Sequence, residues 1–201
     1  MSRPEPYDPR TMSFYDDEPP AARGVVVERG RGSLPFTLLH GEPLVACAAW
    51  AMGEAGILLL DLVTPWDDVR EAGAPLVWHD ALCPMTPPDF LAECVRRAVA
   101  QDAVVVGVLP VTDTVKDLVE RDGVTLVART HDRDRLRRVA SPLVLPASVV
   151  AGLEDWPDDD LVRAVAELRA RGPVLFVEAP SSAARVTSAA DVARLEALTS
   201  R

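Results

Sequence analysis

The sequence predicts an α/β protein, a sheet of short apolar strands covered on both faces by helices. Three observations predict it. From Gly24 onward, apolar runs of strand length alternate with segments of helical period. Runs such as Val104 to Leu109 are apolar throughout, as strands buried on both faces are. Helix-stop pairs such as Gly172-Pro173 stand directly before the next run.

Taken in order, residues 1–22 hold Pro4, Pro6, Pro9, Pro19 and Pro20 with Asp16, Asp17 and Glu18, the composition of a disordered tail. One domain is expected over residues 23–201. Its strands are expected at 24–28, 57–63, 75–78, 103–109 and 173–178. Pro43 to Gly56 reads as a helix. So does Pro87 to Gln101, which puts Phe90, Leu91, Cys94, Val95 and Ala98 on one face and Cys94 in the core. A third helix is expected over 158–171, with Leu161, Val162, Val165 and Leu168 at helical spacing. A fourth opens at Ser188-x-x-Asp191, a capping-box-like start. Asp122-Gly123 between two apolar runs is a hairpin signal, so 110–142 reads as a projecting β-arm.

Composition sets bounds on function. At 201 residues, with 48% hydrophobic and 26% charged residues, the chain has the usage of one globular domain with a sizeable core. A net charge of -10 argues against nucleic acid or an anionic membrane as a general partner. The three cysteines, Cys47, Cys83 and Cys94, show no C-x-x-C spacing, which fits a reducing cytoplasm rather than a disulfide framework or a zinc site. No apolar run approaches the roughly 20 residues of a membrane span. No Gly-x-Ser-x-Gly or Walker-type loop occurs, and neither Cys83 nor Cys94 has a basic neighbour to activate it.

Three boxes carry the functional signal. His79-Asp80-Ala81-Leu82-Cys83-Pro84 follows a strand, where open α/β sheets place ligands. Pro110-Val111-Thr112-Asp113-Thr114 follows the strand 103–109. Asp132-Arg133-Asp134-Arg135 leads into Ala140-Ser141-Pro142. Two flanking segments accompany them, Leu38 to Leu44 and Ala183-Ala184-Arg185-Val186-Thr187. In this order the boxes resemble the 2-C-methyl-D-erythritol 4-phosphate cytidylyltransferases. The resemblance is clearest over 76–142 and 174–198 and weak over 24–75.

The resemblance implies a Rossmann-like, glycosyltransferase-A-like nucleotidyltransferase sheet and a homodimer formed through the β-arm. It implies cytidylyl transfer from CTP to 2-C-methyl-D-erythritol 4-phosphate with Mg2+, releasing pyrophosphate. It implies Asp80 beside the acceptor and the magnesium, and Thr114, Arg133 and Arg185 on the sugar phosphate. Arg for the family's lysine at 185 keeps the charge.

The nucleotide side departs from the pattern. The loop Glu28-Arg29-Gly30-Arg31-Gly32-Ser33 is shortened, and Glu42 and Cys83 stand where the family has a lysine and an arginine. The family's Gly-Gly-x-x-Arg-x-x-Ser-Val block is absent, with Arg70 alone in the interval. Arg29 and Arg31 remain as candidate catalytic cations, the alternative being two solvated arginines in a glycine-rich turn. For Asp80 the alternative is a loop cap made through backbone amides. For Thr114, Arg133 and Asp113 it is a purely structural stitching of the arm. Three functional expectations follow: a weakly active or inactive member with a phosphate pocket, an active enzyme with a rearranged loop, or a protein-binding regulator.

Overall fold

The structure, a computed structural model, describes residues 21–200, so the tail expected over 1–22 lies outside the described residues except for Ala21 and Ala22. The elements in order are β1 (Arg23–Val27), β2 (Leu38–Leu39), β3 (Glu42–Pro43), α1 (Leu44–Glu54), β4 (Leu58–Leu59), α2 (Trp66–Glu71), β5 (Leu76–Asp80), α3 (Pro88–Gln101) and β6 (Val104–Pro110). They continue with β7 (Lys116–Arg121), β8 (Val124–Thr130), β9 (Arg137–Leu145), α4 (Ala147–Ala151), α5 (Leu161–Leu168), β10 (Val174–Glu178) and α6 (Ala189–Thr199). Among the described residues, no helix is long and apolar enough to cross a membrane.

The central sheet has six strands in the order β10-β6-β9-β5-β1-β4. All pairings are parallel except those of β9, which runs antiparallel between β5 and β6. Successive side chains on a strand point to opposite faces, so each apolar run feeds two cores. Val25, Val27, Leu76, Trp78, Val104, Val106, Leu143 and Leu145 pack on one face under α2, α4 and α5. Val77, Val105 and Val144 pack on the other with Ala51 and Met52 of α1 and Leu91, Cys94 and Ala98 of α3. Burial on both faces and the core position of Cys94 therefore agree with the sequence.

Helix boundaries follow their caps. Asp160 accepts hydrogen bonds from the amides of Val162 and Arg163 and starts α5 at Leu161, inside the expected 158–171. Ser188 accepts from the Asp191 amide and opens α6. Strand β4 is shorter than the expected 57–63, because after Leu59 the chain turns through Asp61 to Thr64.

The β-arm also needs a correction. The hairpin β7–β8 turns at Asp122 and Gly123, both with positive φ (53° and 78°), as a type I′ turn requires. The returning chain does not stay in the arm to 142. From Arg137 it is already β9, paired with Pro110, Leu109 and Val108 of β6 and then with β5. Pro142 lies inside β9 and has no amide to donate to a ladder. In the sheet it is accommodated where the β6–β9 register shifts, between Val106 and Val108.

Gly107 sits in that register shift. A Cβ there would meet the Ser141 carbonyl oxygen at 2.7 Å and its carbonyl carbon at 3.0 Å, both rigid backbone atoms. Gly107→Ala is expected to lower stability by about 1–3 kcal/mol through overpacking, read as a lower urea midpoint. An unchanged midpoint would show that the two strands are not in this close contact.

Candidate functional site

Strands β1 and β5 are neighbours in parallel register, with Val27 opposite Asp80, so both end at the same edge of the sheet. The turn after β1 uses Gly30 and Gly32 at φ 72° and 60°, a left-handed geometry that costs glycine little. It folds Arg31 back over the end of β5. A third segment, Ser181 to Val186, follows β10 and is held there by the Val186 amide bonding to the Leu82 carbonyl. Arg185 is thereby brought to the same point.

The result is a saturated carboxylate. Asp80 is 2% exposed and accepts four hydrogen bonds. Arg31 Nε (3.1 Å) and the Leu82 amide (2.9 Å) reach Oδ1, while Arg31 Nη2 and Arg185 Nε (both 3.0 Å) reach Oδ2. Four donors fill the lone-pair sites of an ionised carboxylate. Burial pushes the Asp80 carboxyl up, but the hydrogen bonds from Arg31 and Leu82 and the charges of Arg31 and Arg185 outweigh it and hold the group below the usual carboxylate range.

This bears on the magnesium role implied for Asp80. No oxygen of that carboxylate is left open for a hard cation. Among the described residues no group of three or more His, Cys, Asp or Glu side chains is placed to hold a metal. The residues present do not fit a resident metal.

Neither loop arginine is simply solvated. Arg31 has an 8% exposed side chain and also donates to the carbonyls of Arg29 (2.7 Å) and Asp159 (2.6 Å). Arg29 is 54% exposed and forks onto Asp159, with Nη2 to Oδ1 and Nε to Oδ2 both at 3.1 Å. Asp159 is not among the site residues expected from the sequence. The available signal was aromatic. Trp66 donates to the Leu153 carbonyl, Trp78 donates to the Asp158 carbonyl, and Trp156 packs on both rings at centroid distances of 5.0 and 5.6 Å. These contacts pin the 153–160 segment over the edge of the sheet.

A cavity of about 800 Å³ lies between these parts, lined by Arg29, Arg31, Arg163, Arg185, Asp80, Cys83 and the acidic segment. Burial pushes the Cys83 thiol far up, so it is no nucleophile at neutral pH. Arg70 lies outside the cavity on α2 and pairs with Asp67 at 2.9 Å. Thr114 and Arg133 do not line the cavity within one chain. Thr114 is exposed at the base of the arm, and Arg133 donates to the Thr112 carbonyl at 2.8 Å, a stitch of the arm itself.

Below Asp80, Ser141 Oγ accepts from the Asp80 amide at 3.0 Å and is also bonded to His79 Nδ1. The other ring nitrogen, Nε2, is buried and has no partner among the described residues. Burial pushes the His79 ring from 6.5 to about 4. The unfolded chain therefore binds this proton first as pH falls. Stability is expected to be complete above pH about 6.5 and to fall as pH drops toward 4, by on the order of 3 kcal/mol. Depressed Asp80 adds a further loss at still lower pH. Denaturant midpoints at pH 7.5, 5.5 and 4.5 check this, and His79→Gln is expected to flatten the upper part of the profile.

The geometry can be compared with known proteins. The family model for 2-C-methyl-D-erythritol 4-phosphate cytidylyltransferase matches residues 68–201. The enzyme of that name from Corynebacterium diphtheriae is 28% identical over 172 residues, 83% of this chain and 64% of the relative. The bifunctional enzyme IspD/IspF of Anaeromyxobacter sp. is 36% identical over 177 residues, 85% of this chain and 43% of the relative. The chain thus spans 64% and 43% of the length of these curated relatives. The crystal structure of the 2-C-methyl-D-erythritol 4-phosphate cytidylyltransferase from Thermus thermophilus superposes with a TM-score of 0.62 at 21% identity, covering 89% of this chain and 98% of that one. The 4-diphosphocytidyl-2C-methyl-D-erythritol synthase of Anaerococcus prevotii also gives 0.62, at 14% identity, covering 90% and 96%. These likenesses show the fold, a nucleotidyltransferase-like α/β sheet. With the family model matching two thirds of its length, the chain belongs to the 2-C-methyl-D-erythritol 4-phosphate cytidylyltransferase family.

Proposed function

We propose that this chain binds a phosphate-bearing ligand of its family, CTP or 2-C-methyl-D-erythritol 4-phosphate, in the Asp80–Arg185 cavity, and transfers cytidylyl slowly or not at all. One observation carries this reading. The two arginines of the nucleotide loop already have carboxylate partners, Arg31 on Asp80 and Arg29 on Asp159. A charge-stabilised transfer needs donors aimed at the developing phosphate charge, and each of these would first have to leave an aspartate. The cavity sets four arginines against Asp80 and the four aspartates at 155 and 158–160, a poor field for a triphosphate. Among the described residues Arg185, 39% exposed, is bonded through Nε alone, which leaves both terminal nitrogens for a phosphate.

Calorimetric titration with CTP–magnesium and then with methylerythritol phosphate at low salt, beside a pyrophosphate-release assay, tests the reading. Phosphate-ligand binding is expected, with release at least ~100-fold slower than that of the Corynebacterium diphtheriae relative, the scale of one lost oxyanion-type donor. Equal rates would overturn it. Asp159→Asn frees Arg29 from an exposed pair worth up to ~1 kcal/mol, so it is expected to tighten CTP binding roughly fivefold. An unchanged affinity would mean that Asp159 does not compete with the ligand.

The same reading includes a homodimer formed through the arm. Leu118 is opposite Val127 and Val119 opposite Leu126, and these four side chains are 43–62% exposed. A two-stranded ribbon with apolar residues in the open calls for a covering partner. A second copy would also carry Thr114 and Arg133 toward a neighbouring cavity. Light scattering is expected to give twice the chain mass for the native protein and one chain mass for Leu118→Asp with Val127→Asp. A native monomer at micromolar concentration would remove the dimer.

A further inference from the structure

The cavity at Asp80 is electrically polar, and the pairing of its side chains shows how. At the β5 end two arginines, Arg31 and Arg185, share the single carboxylate of Asp80, each at 3.0 Å, which leaves one positive charge in excess. Arg29 and Asp159 form a fork that is neutral as a pair. On the segment leading into α5 the balance is reversed. Asp158 and Asp160 share Arg163, at 3.4 and 3.8 Å, which leaves one negative charge in excess. Asp155, in the wall of the same cavity, has no ion-pair partner among the described residues. One of its oxygens accepts from the Trp156 amide at 2.7 Å, and the other has no partner among those residues.

A ligand gains most from such a field when it carries both signs of charge. A polyanion meets attraction at Arg185 and repulsion at the acidic wall. A monophosphate with hydroxyl groups at its other end is attracted once and leaves the Asp155 charge unanswered. A phosphate joined to an ammonium answers both. The wall beside Asp155 adds a second feature suited to a cation. Trp156 lines the cavity there. Its indole is stacked on Trp78 at 5.6 Å and 28° and packed on Trp66 at 5.0 Å, so the ring is fixed before a ligand arrives. Of the aromatic side chains, indole attracts an ammonium most strongly.

We infer that the cavity takes a small phosphomonoester bearing an ammonium group, an amino-alcohol phosphate, with its phosphate on the terminal nitrogens of Arg185 and its ammonium at Asp155 and Trp156. This assignment rests on the reading that a phosphate-bearing ligand enters the cavity, and goes beyond it in naming the other end of that ligand. The guanidinium fork of Arg185 matches the terminal oxygens of a monoester, two of which it can meet at once.

Calorimetric titration of the full chain at low salt with phosphoethanolamine and with glycerol 3-phosphate tests it, since the two share the phosphate and differ in an ammonium against hydroxyls. Phosphoethanolamine is expected to bind at least ~5-fold more tightly, the scale of one exposed ion pair with a cation–π contact. Equal affinities overturn the inference and leave the phosphate reading standing, whereas no binding of either compound removes both. Asp155 is exposed, so Asp155→Asn alters the cavity wall without disturbing the core. This variant is expected to hold phosphoethanolamine no more tightly than glycerol 3-phosphate, and a preference that survives overturns the placement of the ammonium. The same charged pair also occurs as a lipid headgroup, in which the phosphate is a diester. Vesicles of phosphatidylethanolamine and phosphatidylcholine are expected not to carry the protein down on sedimentation, and cosedimentation overturns the free monoester as the ligand.

Discussion

A carboxylate taken out of water at the end of a parallel strand has to be met by cations and amides, or it destabilises the fold by several kcal/mol. Asp80 is that carboxylate. Its requirement organises the three segments that form the site: the glycine turn after β1, which returns Arg31; the Ser181 to Val186 segment, which delivers Arg185; and its own turn, which supplies the Leu82 amide. Each segment comes from a different part of the chain and leaves the sheet at the same edge. The buried ion pair is therefore a keystone for the loops. Arg31 is almost fully enclosed beside it, with its side chain 8% exposed.

The acidic segment 153–160 is the second organising element. It is fixed by two indole N–H groups and a stacked third indole. Once fixed, it presents Asp159 to Arg29. The Arg29 charge is balanced within the protein by that carboxylate.

Much of the fold was legible because its signals are local. Apolar runs marked the parallel strands within one or two residues, except β4, and Ser188 showed where α6 begins, whereas α5 starts three residues inside the expected 158–171. Asp122-Gly123 marked the hairpin. What could not be read was pairing between distant residues. Pro142 concealed the fact that Leu143 to Leu145 belongs to the middle of the sheet, since nothing local shows that Gly107 opposite it lacks a side chain. In the site, Asp80 and Arg185 were visible as types in the right boxes. The partners Asp159, Trp156 and Ser141 were not, because an aspartate in a run of three and a serine before a proline look like ordinary surface and turn residues until the chain is folded. The placement of Thr114 and Arg133 outside the cavity also depends on where the arm projects, a property of the tertiary structure alone.

The antiparallel strand β9 links the exterior of the molecule to its centre in a way that the sheet order alone does not convey. One end begins where the arm returns, and only four residues further on Ser141 holds the Asp80 amide and the His79 ring. From Arg137 to Val139 the strand is paired with β6 alone, and at Leu143 and Val144 with both β6 and β5. The strand that leaves the arm is the one whose Ser141 supports the Asp80 backbone, so the periphery and the site share one stretch of chain.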